Sequence, residues 1–345
     1  MVLHRILLAL AGMLAFATAV LADNADTCSD DNAEAAARAE ACTRLIRSGK
    51  YRGNHLAAVH NNRAIAYRRQ NDLTRALTDY NEAVRLNPQY DKAFYNRALL
   101  QAALGNSAQA IDDYGKAITI NPRFADALNN RGLLWQAKGD ADKALADFDE
   151  AVRINPRMAK AFFNRGIVYA GKGDSERAIA DYSEAIRLDA NDADAYVNRG
   201  NVWQRKEAYD RAIADYAEAL RRNPNDADLY FNRGNAYRLK GEQDKAMADY
   251  DAAIRLAPSN VEPYNNRALV WLARRDYDRA ISDADEAIRV DPKYVRALLT
   301  RGEAWQRKGD TERAREDYRK ALELKPNDDL RQAAEAALRS LEQKQ

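Results

Sequence analysis

Residues 125–158 read ADALNNRGLLWQAKGDADKALADFDEAVRINPRM, and residues 159–192 read AKAFFNRGIVYAGKGDSERAIADYSEAIRLDAND. Laid over one another they agree at Ala, Asn-Arg-Gly, Lys-Gly-Asp and the later Ala, Asp and Glu-Ala without a gap. The same 34-residue period extends both ways, with units starting at Ala57, Asp91, Ala125, Ala159, Ala193, Ala227, Val261 and Val295. Position 8 of the unit is always small (Ala64, Ala98, Gly132, Gly166, Gly200, Gly234, Ala268, Gly302), and positions 20 and 27 are Ala throughout. Positions 4, 8 and 11 share one face of a helix, and positions 20, 24 and 27 share one face of a second. Position 24 carries a ring in every unit but one, Tyr80, Tyr114, Phe148, Tyr182, Tyr216, Tyr250 and Tyr318, with Ala284 as the exception. Small residues let two helices approach while the ring fills the space beside them.

The turn between the helices is marked by Gly105, Gly139, Gly173, Gly241 and Gly309, followed by N-cap candidates Asp72, Asn106, Asp140, Asp174, Asp276 and Asp310. Seven units close on a proline that cannot continue a helix interior, from Pro88 to Pro326, and Ala190 stands in the other. Each unit is therefore a helical hairpin that cannot cover its own apolar faces, and stacking neighbours supplies the cover.

This arrangement closely resembles the tetratricopeptide repeat family over Ala57 to Asp328. The resemblance implies an all-α, right-handed solenoid in which the first helix of each pair lines a concave groove that binds peptides or proteins. Residues 23–56 then form a degenerate N-terminal capping unit, residues 57–328 eight repeats, and residues 329–345 a closing helix with Leu330, Ala334, Leu338 and Leu341 inward.

Residues 1–22 differ from the rest. His4 and Arg5 precede an apolar run that ends in Val20-Leu21-Ala22, the form of a signal peptide cleaved near Ala22, and 17 apolar residues from Ile6 are short for a membrane span. A periplasmic or secreted protein is expected, with no membrane span in the mature chain. Cys28 and Cys42, the only cysteines, are expected to pair in that oxidising setting, clipping a short leading segment to the following helix.

Of the 345 residues, 54 are Lys or Arg and 52 Asp or Glu, a net charge of +2 that argues against a nucleic-acid binder. Three His and two Cys leave few ligands for a metal, and none is expected, nor any cofactor. His55 and His60 have no convincing nucleophile beside them, so an enzyme is not expected.

Binding residues are sought at recurrent positions that helix packing does not require. Position 6 carries Asn62, Asn96, Asn130, Asn164, Asn198, Asn232 and Asn266, with Thr300 last. It faces away from the partner helix, and a row of carboxamides could hold the backbone of an extended peptide; the alternative is that each Asn bonds to the adjacent unit. Position 2 becomes acidic in three successive units, Asp194, Asp228 and Glu262, which suits a basic stretch of ligand. Positions 5 and 9 supply an apolar strip at Tyr95, Leu99, Leu133, Phe163, Ile167, Val197 and Phe231, unless these serve packing between units. Arg at position 7 and Asp at position 23 recur in all eight units and read as structural ion pairs at the seams. Trp135, Trp203, Trp271 and Trp305 at position 11 read as core.

The expected function is a non-enzymatic scaffold or adaptor for a protein or peptide partner, with self-association left open. A carboxylate clamp of the kind found in co-chaperone repeats is an alternative, using Asn235, Asn266 and Arg296, but Phe231 and Thr300 stand where its first Lys and its Arg belong. RNA reading by helical repeats would need a more basic groove.

Overall fold

A computed structural model of the chain describes residues 23–342, so the leader expected at 1–22 lies outside the described residues. The chain divides into two compact units, with the boundary between Val168 and Tyr169. The described residues are helical throughout, in the order the 34-residue period dictates.

The first unit opens with helical residues 23–29 (α1) and α2 (Ala35–Arg47). Three hairpins follow: α3 (Gly53–Arg69) with α4 (Leu73–Leu86), α5 (Asp91–Ala103) with α6 (Ser107–Ile120), and α7 (Ala125–Ala137) with α8 (Ala141–Ile154). Then comes α9 (Ala159–Gly171), which carries the unit boundary. Cys28 and Cys42 are joined, with their Cα atoms 5.0 Å apart. They sit in an apolar cluster with Ala41, Leu45 and Val59, which seats α2 on α3. Arg38, only 1% exposed, ties the leading segment down: Nε donates to the Cys28 carbonyl at 3.0 Å and Nη1 pairs with Asp31 at 2.9 Å.

The second unit begins with α10 (Ser175–Leu188) and continues with α11 (Ala193–Arg205), α12 (Tyr209–Arg222), α13 (Ala227–Lys240), α14 (Gln243–Leu256), α15 (Val261–Ala273), α16 (Tyr277–Val290), α17 (Val295–Lys308) and α18 (Thr311–Glu323). It ends in α19 (Asp328–Glu342), whose Ala334 packs against Leu298 and Ala321, and whose Leu341 packs against Ala314 and Tyr318.

Within a hairpin the ring at position 24 presses on the small residue at position 8. A Cβ added to Gly132 would lie 2.7 Å from Cε1 of Phe148, and one on Gly302 would lie 2.6 Å from Cε1 of Tyr318. Burying each such ring stabilises the hairpin by roughly 2 kcal/mol. The turn is held by the N-cap aspartate, as where Asp72 accepts from the backbone N–H of Arg75 at 3.0 Å. That hydrogen bond, with the Arg75 guanidinium, holds the exposed Asp72 carboxyl below the usual carboxylate range. Asn106 departs from this expectation: its amide donates to Gln101 instead and caps no N–H.

A second lock joins position 11 to position 19. The cations of Arg75, Lys143, Arg177, Arg211, Arg279 and Arg313 lie 4.3–4.5 Å from the ring centres of Tyr67, Trp135, Tyr169, Trp203, Trp271 and Trp305. The second repeat has Gln101 and Gln109 at these two positions, so aromatic and cation are absent together.

Candidate functional site

Alternate helices of each unit, those that open a hairpin, are called A helices here; their partners are B helices. In the second unit neighbouring A helices touch one another, α13 with α15 and α15 with α17, so the A side is the inside of that array. Positions 2, 5, 6, 9 and 12 present themselves there, and the polar ones among them divide into groups that are used up and groups that are not.

The recurrent Arg and Asp are used up. Nε and Nη2 of Arg63, Arg97, Arg131, Arg199, Arg233, Arg267 and Arg301 donate in a fork to both carboxylate oxygens of Asp79, Asp113, Asp147, Asp215, Asp249, Asp283 and Asp317, at 2.6–2.9 Å. The pairs lie inside one hairpin, between its two helices. The remaining Nη1 often reaches the preceding B helix, from Arg97 to Asn81 at 2.9 Å, Arg199 to Ser183 at 2.9 Å and Arg267 to Asp251 at 2.6 Å. One guanidinium thus fixes both hairpin and stack. In the first repeat His60 stands at position 4, where other repeats place Phe94, Leu128, Phe162, Tyr196, Tyr230, Tyr264 or Leu298. Its Nδ1 lies 2.8 Å from Asp79 Oδ1, on the same carboxylate that Arg63 holds.

The asparagine row splits. In the first unit Nδ2 of Asn96 donates to Asn61 Oδ1 at 3.0 Å, that of Asn130 to the Tyr95 hydroxyl at 3.2 Å, and that of Asn164 to Asn129 Oδ1 at 2.9 Å. Asn62 only accepts, from Asn61 at 3.5 Å. In the second unit Asn266 donates to Asn235 Oδ1 at 2.7 Å, and Thr300 to Asn265 Oδ1 at 2.9 Å. These five links join consecutive repeats. Asn198 instead donates back to the Asp194 carbonyl of its own helix at 2.9 Å, and Asn232 has no hydrogen-bond partner among the described residues. Val197, 35 residues before Asn232, offers nothing to bond, whereas Asn61, Asn129 and Asn265 each do.

The acidic row splits the same way. Asp126 of the first unit is neutralised by Lys160 at 2.7 Å. Asp194, Asp228 and Glu262 are exposed, and none has an ion-pair partner among the described residues. Of the apolar strip, Tyr95 and Leu99 pack on the Phe94–Tyr114 core, Val197 on Tyr196 and Leu220, and Phe231 on Tyr250 with ring centres 6.1 Å apart. Leu133 stays 39% exposed. Val197 and Phe231 are therefore half-buried.

Two features of this face escape a reading by period alone. Tyr216 and Tyr250 donate their hydroxyls to Asn201 and Asn235 at 2.7 and 2.8 Å, which makes position 9 part of the inner polar layer in those repeats. Arg238, at position 12, is half-buried with no carboxylate against it among the described residues. A cleft of about 390 Å³ is lined by Met247, Arg267, Trp271 and Arg279, whose charges are already paired or stacked. No cluster of His, Cys, Asp and Glu able to hold a metal occurs among the described residues, and none of their helices is long and apolar enough to cross a membrane.

Comparisons with known proteins agree with this architecture. Residues 197–261 and 265–329, 91–124 and 125–158 match Tetratricopeptide repeat families, and residues 64–105 and 171–207 match a further TPR repeat family. A search of curated proteins found no match. Among solved structures, the chain is similar to the C-terminal part of a TPR repeat-containing protein from Cytophaga hutchinsonii, with TM-score 0.60 and 19% identity over 69% of this chain and 97% of that one. It is also similar to a tetratricopeptide repeat protein from Parabacteroides merdae, with TM-score 0.51 and 21% identity over 72% and 98%. A third is YrrB, a TPR protein with an unusual peptide-binding site, with TM-score 0.50 and 24% identity over 54% and 95%.

Proposed function

The chain belongs to the tetratricopeptide repeat family, and we propose that it is a non-enzymatic interaction scaffold holding an extended, basic segment of a partner protein on the A face of its second unit. The observation that carries this reading is the coincidence, on α11 and α13, of groups that no neighbouring repeat uses. Among the described residues, Asp194 and Asp228 are carboxylates without counter-ions and Asn198 and Asn232 carboxamides without inter-repeat partners, while Val197 and Phe231 form an apolar floor. Unpaired acids draw in a basic chain, and carboxamides supply the donor and acceptor that a peptide backbone needs. Glu262 extends the acidic edge by one repeat. Asn96, Asn130, Asn164 and Asn266 serve the stack in this reading, and their loss should show as instability.

The same reading sets the chain outside the cytoplasm. Its support is the cleavable-leader pattern of residues 1–22 and the joined Cys28 and Cys42, a pairing that suits an oxidising compartment.

The test uses a fluorescein-labelled 12-residue peptide with Lys at odd and Ala at even positions, and a Glu-Ala counterpart, titrated with residues 23–345 by fluorescence anisotropy. The Lys peptide is expected to bind and the Glu peptide not to. Asn198→Ala with Asn232→Ala should weaken binding about tenfold at unchanged helix content, and Asp194→Asn with Asp228→Asn should do the same. Equal binding of both peptides, or unchanged affinity in these variants, overturns the reading.

A further inference from the structure

Charge along α13 is sorted by position. Asp228 stands in its first turn, Asn232 and Asn235 in its middle, and Arg238 in its last turn. Arg238 differs from the other half-buried guanidiniums of this face. Arg199, Arg233, Arg267 and Arg301 each grip an aspartate, whereas Arg238 has no carboxylate partner among the described residues and its Nε is shut from water without a hydrogen bond.

Such a group carries a desolvation cost that an unpaired cation does not recover. Local structure does not demand it, because at the same position Gln204 and Gln306 meet the hydroxyls of Tyr216 and Tyr318 with a neutral amide. Its neighbour on this side is neutral: a hydrogen bond to the Tyr250 hydroxyl leaves the charge of Arg238 uncompensated. Tyr250 donates to Asn235 at 2.8 Å, and Arg238 and Asn266 beside it only offset part of the rise that burial gives the phenol. With Nε enclosed, the Nη groups of this half-buried side chain are the donors left at the C-terminal end of α13, next to Leu239, which is 45% exposed.

We propose that Arg238 receives a carboxylate of the bound peptide, making the site selective for an extended segment with basic side chains on one edge and an acidic one on the other. This rests on the peptide reading above. Successive side chains of an extended chain point to opposite sides. A peptide crossing the A helices thus sends one set of side chains toward Asp194 and Asp228 and the alternate set toward Arg238. The ligand class is an alternating polyampholyte segment, with Lys or Arg and the acidic residue an odd number of positions apart. An Arg–carboxylate fork also fixes register, which a row of backbone-holding carboxamides alone does not.

The experiment compares three labelled 12-residue peptides, all with Lys at odd positions: one with Ala at every even position, one with a single central even Ala replaced by Glu, and one with Gln there. Residues 23–345 should bind the Glu peptide about tenfold more tightly than the Gln peptide. The preference should vanish in Arg238→Gln and return in part in Arg238→Lys, which keeps the charge but not the fork, with circular dichroism confirming unchanged helix content in both. If the Ala peptide binds while Glu and Gln peptides bind alike, the carboxylate subsite is wrong and the groove reading stands. If no Lys peptide binds, both fall.

Discussion

Ile65 stands in the first repeat where Asn201 and Asn235 stand in later ones, and the Tyr80 hydroxyl that packs beside it is buried without a hydrogen-bond partner. Tyr216 and Tyr250 have an acceptor at that position. Burial pushes the Tyr80 phenol up to about 12, with Arg68 and Arg38 pulling the other way. A buried, unmade hydroxyl bond costs about 1 kcal/mol or more, so removing the hydroxyl removes a cost. Tyr80→Phe should leave stability unchanged or raise it by about 1 kcal/mol, while Tyr216→Phe should lower it by about 1 kcal/mol. Urea denaturation followed by circular dichroism reads both. A loss for Tyr80→Phe equal to that for Tyr216→Phe contradicts the account.

The Arg–Asp fork predicts an acid limb of stability. Burial raises the Asp79 carboxyl, but hydrogen bonds from Arg63 and then His60 outweigh it and leave the folded value below the ordinary 3.8. A depressed folded value means that near and below pH 4 the unfolded chain holds more protons than the folded one. The stabilisation is therefore complete above the unfolded value and lost as pH falls through the folded one. Asp79→Asn should flatten that limb and leave a less stable protein at pH 7. Because the Asp147 side chain is only 7% exposed and that of Arg131 24%, Asp147→Ala strands a cation and should cost about 3 kcal/mol. Glu150→Ala, on an exposed pair, should leave stability nearly unchanged. Denaturation midpoints from pH 7 down to pH 3 decide both.

The hairpins were legible because their determinants are local and repeated: a small residue at position 8, a ring at position 24 and a turn at position 15 recur in register. What position 6 does was not legible, because its answer lies 35 residues away. Asn96 and Asn164 are committed because Asn61 and Asn129 precede them, and Asn232 is not because Val197 precedes it. The period gives the face a residue occupies; it does not say what the neighbouring repeat presents to it. Arg238 was missed for a related reason. Position 12 alternates among Arg, Ala, Gln and Leu, and only the folded arrangement shows that no carboxylate among the described residues meets its guanidinium. The stacked cations were readable in principle, since Gln101 and Gln109 depart from the pattern together.

The turn offers the sharpest stability test. Position 15 adopts a left-handed backbone in every repeat: Gly105, Gly139, Gly173, Gly241 and Gly309 do so at φ of 79–98°, and Asn71, Glu207 and Arg275 do so at 59–61°. Glycine takes this conformation without steric cost and asparagine tolerates it, whereas a Cβ meets the following carbonyl at a cost of roughly 1 kcal/mol in other residues. No Cβ contact would oppose a side chain at Gly139, so the backbone alone sets the difference there. Arg275→Gly and Glu207→Gly should each raise stability by about 1 kcal/mol, Asn71→Gly by less, and Gly139→Ala should lower it by about 1 kcal/mol. The four variants share one turn geometry, so thermal or urea unfolding should rank them in that order. A destabilised Arg275→Gly would show that the positive φ at that turn carries no strain.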